Sequence, residues 1–228
     1  MNQNSFDKKT LANAFGWSYR IWAKPFLTVL EKKVFNANIL EIGAGPHSIV
    51  SILFSGDNNK LNIGYYDSTF KSALCDRLKT NNCINYRLKF CDIHNVNGKY
   101  DLILLKSVLG GVCRVGSSKE CHQAIIQKLL DSNIVDGGQL ITIDNGKSFF
   151  EPLIRNFGGR KNKWRFFCKT DFTGYSKQAA NGFLSAFCLG WRFGPFGTFF
   201  DSILNFCDST FFKSFQKYPT VICTSYKK

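Results

Sequence analysis

The chain has 228 residues, 44% of them hydrophobic and 15% aromatic, and a formal net charge of +14. That length supports one substantial core and is short for two, and the apolar content excludes a disordered chain. No apolar stretch reaches the roughly 18 residues of a membrane-spanning helix, and the N-terminus lacks the apolar centre of an export signal, so a cytoplasmic protein is the expectation.

In chain order, Leu11, Phe15, Tyr19, Trp22, Phe26 and Leu30 recur every three to four residues. This predicts a helical lid or brace over residues 1–37, interrupted near Pro25. "ANILEIG" reads as a buried strand and "SIVSILF" as the helix after it. "LNIGYYD" predicts a second strand ending at Asp67, and "STFKSALCDRLKT" a helix capped by Ser68 or Thr69. "NYRLKFCD" and "YDLILLKS" predict strands three and four, the latter apolar enough to be covered on both faces. "SSKECHQAIIQKLLDSNI" is a long amphipathic helix with "DGG" as its stop, and "QLITID" is strand five. The last third, with "GFLSAFCLGWRFG", a helix in "GTFFDSILNFCDSTFFKSF" and "PTVICTSYKK", reads as two strands around a helix, the final strand antiparallel. This alternation predicts an α/β fold: a parallel sheet with helices on both faces, in one domain over residues 38–228.

The nine cysteines are scattered, odd in number and contain no C-x-x-C pair, so neither a zinc ribbon nor a disulfide framework is expected. Residues 1–146 carry 17 basic and 12 acidic side chains, whereas 147–228 carry 13 and 4. The basic last third suits an anionic partner, whether phosphate, sugar acid, nucleic acid or lipid headgroup; a merely soluble basic surface accounts for it equally well.

Ligands of open parallel sheets bind beyond the carboxyl ends of the strands. Four polar features fall there: Glu41 to Gly45, Asp67, Asp92 and Lys106. Gly43 and Gly45 permit a tight turn and close approach of a ligand to the backbone. Asp67 lies 22 positions after Gly45, the offset at which a carboxylate meets ribose hydroxyls in nucleoside-binding folds. The third glycine of G-x-G-x-x-G is missing from Gly43-Ala44-Gly45-Pro46-His47-Ser48, which disfavours a dinucleotide pyrophosphate.

"ILEIGAGP", "GYYDST", "FCDIHNV" and "YDLILLKSVLGG" resemble the successive motifs of the class I S-adenosylmethionine-dependent methyltransferases, over residues 38–146. The resemblance implies a Rossmann-like, seven-stranded, mostly parallel sheet and S-adenosylmethionine as cofactor. It implies that Glu41, Gly43, Ala44, Gly45 and Pro46 border the methionine moiety. Asp67 with Ser68 then takes the ribose, Asp92 with Ile93 meets the adenine, and Lys106 and Ser107 lie beneath the sulfonium and acceptor. His47 departs from the usual small residue. An acidic glycine loop suits an ammonium and a sulfonium better than a pyrophosphate.

Catechol-type members of the family bind magnesium through an Asp after strand four and an Asp-Asn pair after strand five. Here Asp144 and Asn145 are present, but Lys106 stands at the first position, and its ammonium would repel a divalent cation; no metal is expected. The [D/N]-P-P-[Y/F] motif of nucleic-acid amino methylation is absent, and Cys113 stands alone. An oxygen acceptor is therefore preferred, with Lys106, His94 or His122 as candidate base. His94 could equally line the adenine pocket, and His122 reads as structural. Asp144, Asn145 and the basic aromatic segment Arg155–Phe167, with Arg155, Trp164 and Arg165, are candidate acceptor contacts; a solvated basic loop explains that segment equally well. The expected activity is metal-independent O-methylation of a small-molecule or saccharide acceptor, anionic in character. RNA methylation and non-catalytic S-adenosylmethionine binding are the rivals, and the Phe-rich end could contact a membrane surface.

Overall fold

The structure is a computed structural model and describes residues 6–16, 19–31, 34–118, 120–152, 164–184, 194–212 and 218–228. The five apolar runs form β1 (Asn38–Ile42), β2 (Lys60–Tyr65), β3 (Tyr86–Phe90), β4 (Tyr100–Lys106) and β5 (Ile134–Asn145). With β6 (Lys177–Asn181) and β7 (Val221–Lys227) they make a seven-stranded sheet in the order β3-β2-β1-β4-β5-β7-β6. Strands β3 through β5 pair in parallel, while β7 runs antiparallel to both neighbours, so β6 points the same way as β5. Strand order reverses between β1 and β4, which opens a crevice at their carboxyl ends.

Helices cover both faces: α1 (Lys8–Phe15), α2 (Tyr19–Val29) and α3 (Lys71–Thr80) on one, α4 (Leu109–Val112) and α5 (Cys121–Asn133) on the other. The first face packs Ile39, Ile63, Leu102 and Leu104 under Phe15, Trp22, Phe26 and Leu74. The second packs Leu40, Ile103 and Leu105 under Ile126, Leu129, Phe167 and Phe172. Phe15 and Phe26 meet edge to face at 5.4 Å, and both are almost wholly buried. Each such ring contributes roughly 1.5–3 kcal/mol, which fastens the N-terminal helices to the sheet. A further helix, α6 (Gly194–Thr210), lies between β6 and β7 in the chain.

Several local expectations are corrected. The break in the N-terminal helix falls at Gly16 (φ 71°), whereas Pro25 lies inside α2. A proline there removes the N–H that Ile21 O would accept, and the Asn181 side-chain amide of β6 donates to that carbonyl instead, at 3.2 Å. "SIVSILF" forms only a 3-10 turn over Val50–Phe54. Asp67, not Ser68 or Thr69, caps the turn before α3, its carboxylate accepting from Thr69 N. "DGG" does not stop α5, which runs directly into β5; the two glycines sit inside the strand, close to a register shift against β4. The sixth strand is "KQAAN", upstream of the segment expected; residues 185–193 of that segment lie outside the described residues. Cys113 is not alone: it forms a disulfide with Cys121, joining α4 to α5 with Cα atoms 5.8 Å apart.

Removal of the substitute donor tests the Pro25 arrangement. Asn181→Ala leaves a buried carbonyl unpaired and lowers stability by about 1–3 kcal/mol in urea denaturation; an unchanged midpoint would mean that Ile21 O needs no partner from β6.

Candidate active site

The tip of β1 is held by its own acidic residue. Glu41 is fully buried, and its two carboxylate oxygens accept from Val50 N at 2.9 Å and Ser51 N at 2.7 Å. Burial raises its pKa; these two amides and the nearby Lys106 ammonium act in the opposite direction. The loop between is thereby closed on itself: Gly45 and Ser48 exchange backbone bonds, and Gly43 N and Ala44 N both donate to Gly64 O of β2 at 3.1 Å.

The two loop glycines have different reasons. Gly43 has φ 83°, and a Cβ there would lie 2.3 Å from the Val108 side chain, so the fold itself requires glycine. Among the described residues a Cβ on Gly45 would meet nothing within 4 Å, which leaves open space there. The chain at Gly16 packs against the same loop, since a Cβ there would strike His47 O.

Asp67 is exposed at the tip of β2, with Oδ1 accepting from Thr69 N (2.9 Å) and Thr69 Oγ1 (2.6 Å), and these bonds lower its pKa. Ser68 is exposed beside it. Asp92, at the tip of β3, caps a short turn by accepting from His94 N (3.0 Å) and Asn95 Nδ2 (3.2 Å). Ile93 is buried in the second core, whereas His94 is exposed. Exposed Tyr66 and Phe90 stack at 5.9 Å near these tips, a pair that the strand pattern alone did not single out as functional.

Lys106 ends β4 on the same sheet face as Glu41, with Nζ 4.7 Å from the centroid of the Trp22 ring. Burial lowers its pKa to about 8; Glu41 holds it up and Arg77 lowers it further. Trp22 and Arg77 were read from sequence only as helix residues, and nothing in a linear pattern couples them to the tip of β4. Ser107, next along, takes φ 54°, a left-handed conformation uncommon for a residue with a side chain.

The acceptor candidates gather on α4. Trp164 lies across Gly111, where a Cβ would approach its ring to 3.1 Å, and Arg165 N donates to Gly110 O at 2.9 Å. The Arg165 guanidinium stands 5.4 Å from the Phe167 ring centroid and donates to Ser118 O. The "GG" of the fourth motif is therefore where Trp164 and Arg165 approach the helix. Asn145 O accepts from Phe167 N, joining the segment to the end of β5. Arg155, with Arg160, Lys161 and Lys163, lies outside the described residues. His122 is buried between Phe167 and Phe172, with Nε2 2.6 Å from Asp171 O, on the face away from Lys106. Among the described residues no three His, Cys, Asp or Glu side chains gather as a metal set.

No protein-family model matches the chain, and no curated protein does. Its fold is shared with solved structures. Coclaurine N-methyltransferase, bound to N-methylheliamine and S-adenosylhomocysteine, is similar over 97% of this chain and 81% of its own, with a TM-score of 0.64 and 13% identity. The N-methyltransferase NodS from Bradyrhizobium japonicum WM9, in complex with S-adenosylhomocysteine, is similar over 84% of this chain and 78% of its own, with a TM-score of 0.50 and 13% identity. The chain has the fold of the class I S-adenosylmethionine-dependent methyltransferases.

Asp144 is buried beneath α4, and among the described residues neither of its carboxylate oxygens has a hydrogen-bond partner. Burial raises its pKa to about 7, the nearby Thr142 hydroxyl and the amides of Gly110 and Leu109 offsetting this only in part. The folded state therefore keeps a proton that the unfolded chain has lost between about pH 4 and 7, and stability falls as pH rises through that window. Asp144→Asn is expected to stabilise the protein by on the order of 2 kcal/mol at pH 8, with the gain vanishing toward pH 4. A pH-independent difference in urea denaturation would contradict the assignment.

Proposed function

We propose that the protein transfers a methyl group from S-adenosylmethionine to an oxygen of a small-molecule or saccharide acceptor, anionic in character, without a metal. The observation that carries the reading is the open space at Gly45, on a loop hydrogen-bonded to β2, whose tip presents the exposed Asp67. A carboxylate and a bare peptide edge so arranged suit the hydroxyls and the cationic groups of a sulfonium nucleoside. When bound, S-adenosylmethionine supplies a methyl group made electrophilic by a positively charged sulfur.

The chain's own residues take the remaining tasks. Asp67 has committed Oδ1 to Thr69, so Oδ2 accepts from the ribose hydroxyls. Tyr66 and Phe90 offer an aromatic flank for the adenine, with Asp92 and Ile93 at the next strand tip. The loop of Gly43, Ala44, Gly45 and Pro46 borders the methionine moiety, and α2 excludes water through Trp22. Glu41 acts from beneath by fixing that loop. Lys106, with a pKa near 8, is neutral in an appreciable fraction of molecules around neutral pH and takes the acceptor proton; His94 is the alternative base. Trp164, Arg165 and Asn145 border the acceptor side, where the guanidinium answers an anionic substituent. An amine acceptor is the second reading, favoured by the similarity in fold to two N-methyltransferases.

Calorimetry with S-adenosylhomocysteine tests the cofactor assignment: Asp67→Ala weakens binding by about tenfold or more, and unchanged affinity would remove Asp67 from the site. Lys106→Met lowers kcat well beyond any change in cofactor affinity; unimpaired turnover would assign the proton to another group. Methyl incorporation into RNA, lost steeply with added salt, would replace the small acceptor by a nucleic acid.

A further inference from the structure

Helix α6 is built inside out. Its polar groups Asp201 and Asp208 face the protein, buried together with Gly197 and Leu204 at a spacing of four, three and four. Asp208 accepts from Phe183 N at 2.8 Å and Leu184 N at 2.7 Å, so its carboxylate holds the chain that follows β6. The opposite face presents Phe196, Phe199, Ile203 and Phe206, at a spacing of three, four and three. The three phenylalanines are 60 to 66% exposed, and Phe211 just beyond the helix is 73% exposed. A buried Phe removes roughly 150–250 Å² from water, so this stripe rivals the largest apolar patch of an ordinary monomer. It extends for about 15 Å along the helix.

The patch continues toward the candidate site. Phe149, 67% exposed, packs on Phe183 at 6.3 Å, and Phe183 stacks on Phe212 at 5.5 Å. Phe149 follows β5 and Phe183 follows β6, at the end of the sheet where the tips of β1, β2 and β4 carry the site.

We infer that the outward Phe face of α6 docks on an anionic lipid bilayer and brings the site's edge to the headgroup layer. Charge selects this occupant. Residues 147–228 hold 13 basic side chains and 4 acidic ones, and burial of Asp201 and Asp208 takes two of those four off the surface. α6 belongs to the strongly basic last third of the chain, and an apolar face carried by a segment of that composition fits acyl chains beneath anionic headgroups. A second copy would bring another +14 to the same contact and be repelled. No helix among the described residues is long and apolar enough to cross a membrane, so the contact is one of lying on the surface. This inference goes beyond the methyltransferase reading and does not need it.

Co-sedimentation with vesicles tests it. The full chain is expected to bind phosphatidylglycerol-containing vesicles at least tenfold more strongly than pure phosphatidylcholine vesicles, with binding reduced by added salt. Phe199→Glu combined with Phe206→Glu abolishes that binding, and the single exposed substitution Phe196→Ser weakens it, both variants keeping the parent's thermal transition and S-adenosylhomocysteine affinity. Absent vesicle binding, equal binding by the folded variants, or sedimentation velocity showing a dimer that these substitutions dissociate in place of lipid binding would each overturn the inference.

Discussion

A buried carboxylate at the end of β1 organises the site. Without the amides of Val50 and Ser51, the Glu41 charge would sit in the core uncompensated, at a cost of several kcal/mol. With them, the chain leaving β1 must return within bonding reach of Glu41. The intervening loop is left only a compact turn, pressed onto Val108 through Gly43 and met at His47 by the chain at Gly16. The open space at Gly45 is what remains outside that turn. The position of the candidate cofactor cradle thus follows from one anchoring contact beneath it.

That anchor also explains why the sequence misled at this point. "SIVSILF" has a pattern compatible with a helix, yet the whole crossover from β1 to β2 is residues 43–59, and the loop pinned by Glu41 consumes its first part. Only a 3-10 turn fits before the chain must reach β2. β1 and β4 were legible because both of their faces are covered and they are nearly all apolar, and β3, though an edge strand, because Tyr86, Leu88 and Phe90 alternate with Arg87 and Lys89. β6 was not, because it is an edge strand with a single neighbour and a polar sequence. Pro25 was read as a break because a linear pattern cannot reveal that Asn181, far along the chain, stands in for the missing donor.

Within the candidate site, what strand ends supply was readable and what crosses the sheet was not. Asp67, Asp92 and Lys106 were picked out because they close expected strands, and the structure puts them at the tips of β2, β3 and β4. Trp22 over Lys106, and Arg77 near Glu41, come from helices remote in sequence. Gly64 gave a signal that could have been used. A glycine within a strand marks a close approach, and a Cβ there would meet Cys91 at 2.6 Å and Glu41 O at 3.0 Å. Asp144 was assigned to the acceptor from its place after β5, but its pairing register puts it on the opposite face from Lys106, under α4. The charge asymmetry of the last third was visible in composition, while the inversion of α6, carboxylates inward and phenyl rings outward, needed the fold.

The most direct measurement is a crystal structure of the protein grown with S-adenosylhomocysteine. The account predicts the nucleoside across the tips of β1 and β2, its ribose hydroxyls within hydrogen-bond distance of the Asp67 carboxylate and its amino-acid portion against the backbone at Gly45. Ordered ligand elsewhere, or a Gly45 cradle closed by the protein's own side chains under saturating ligand, would contradict it.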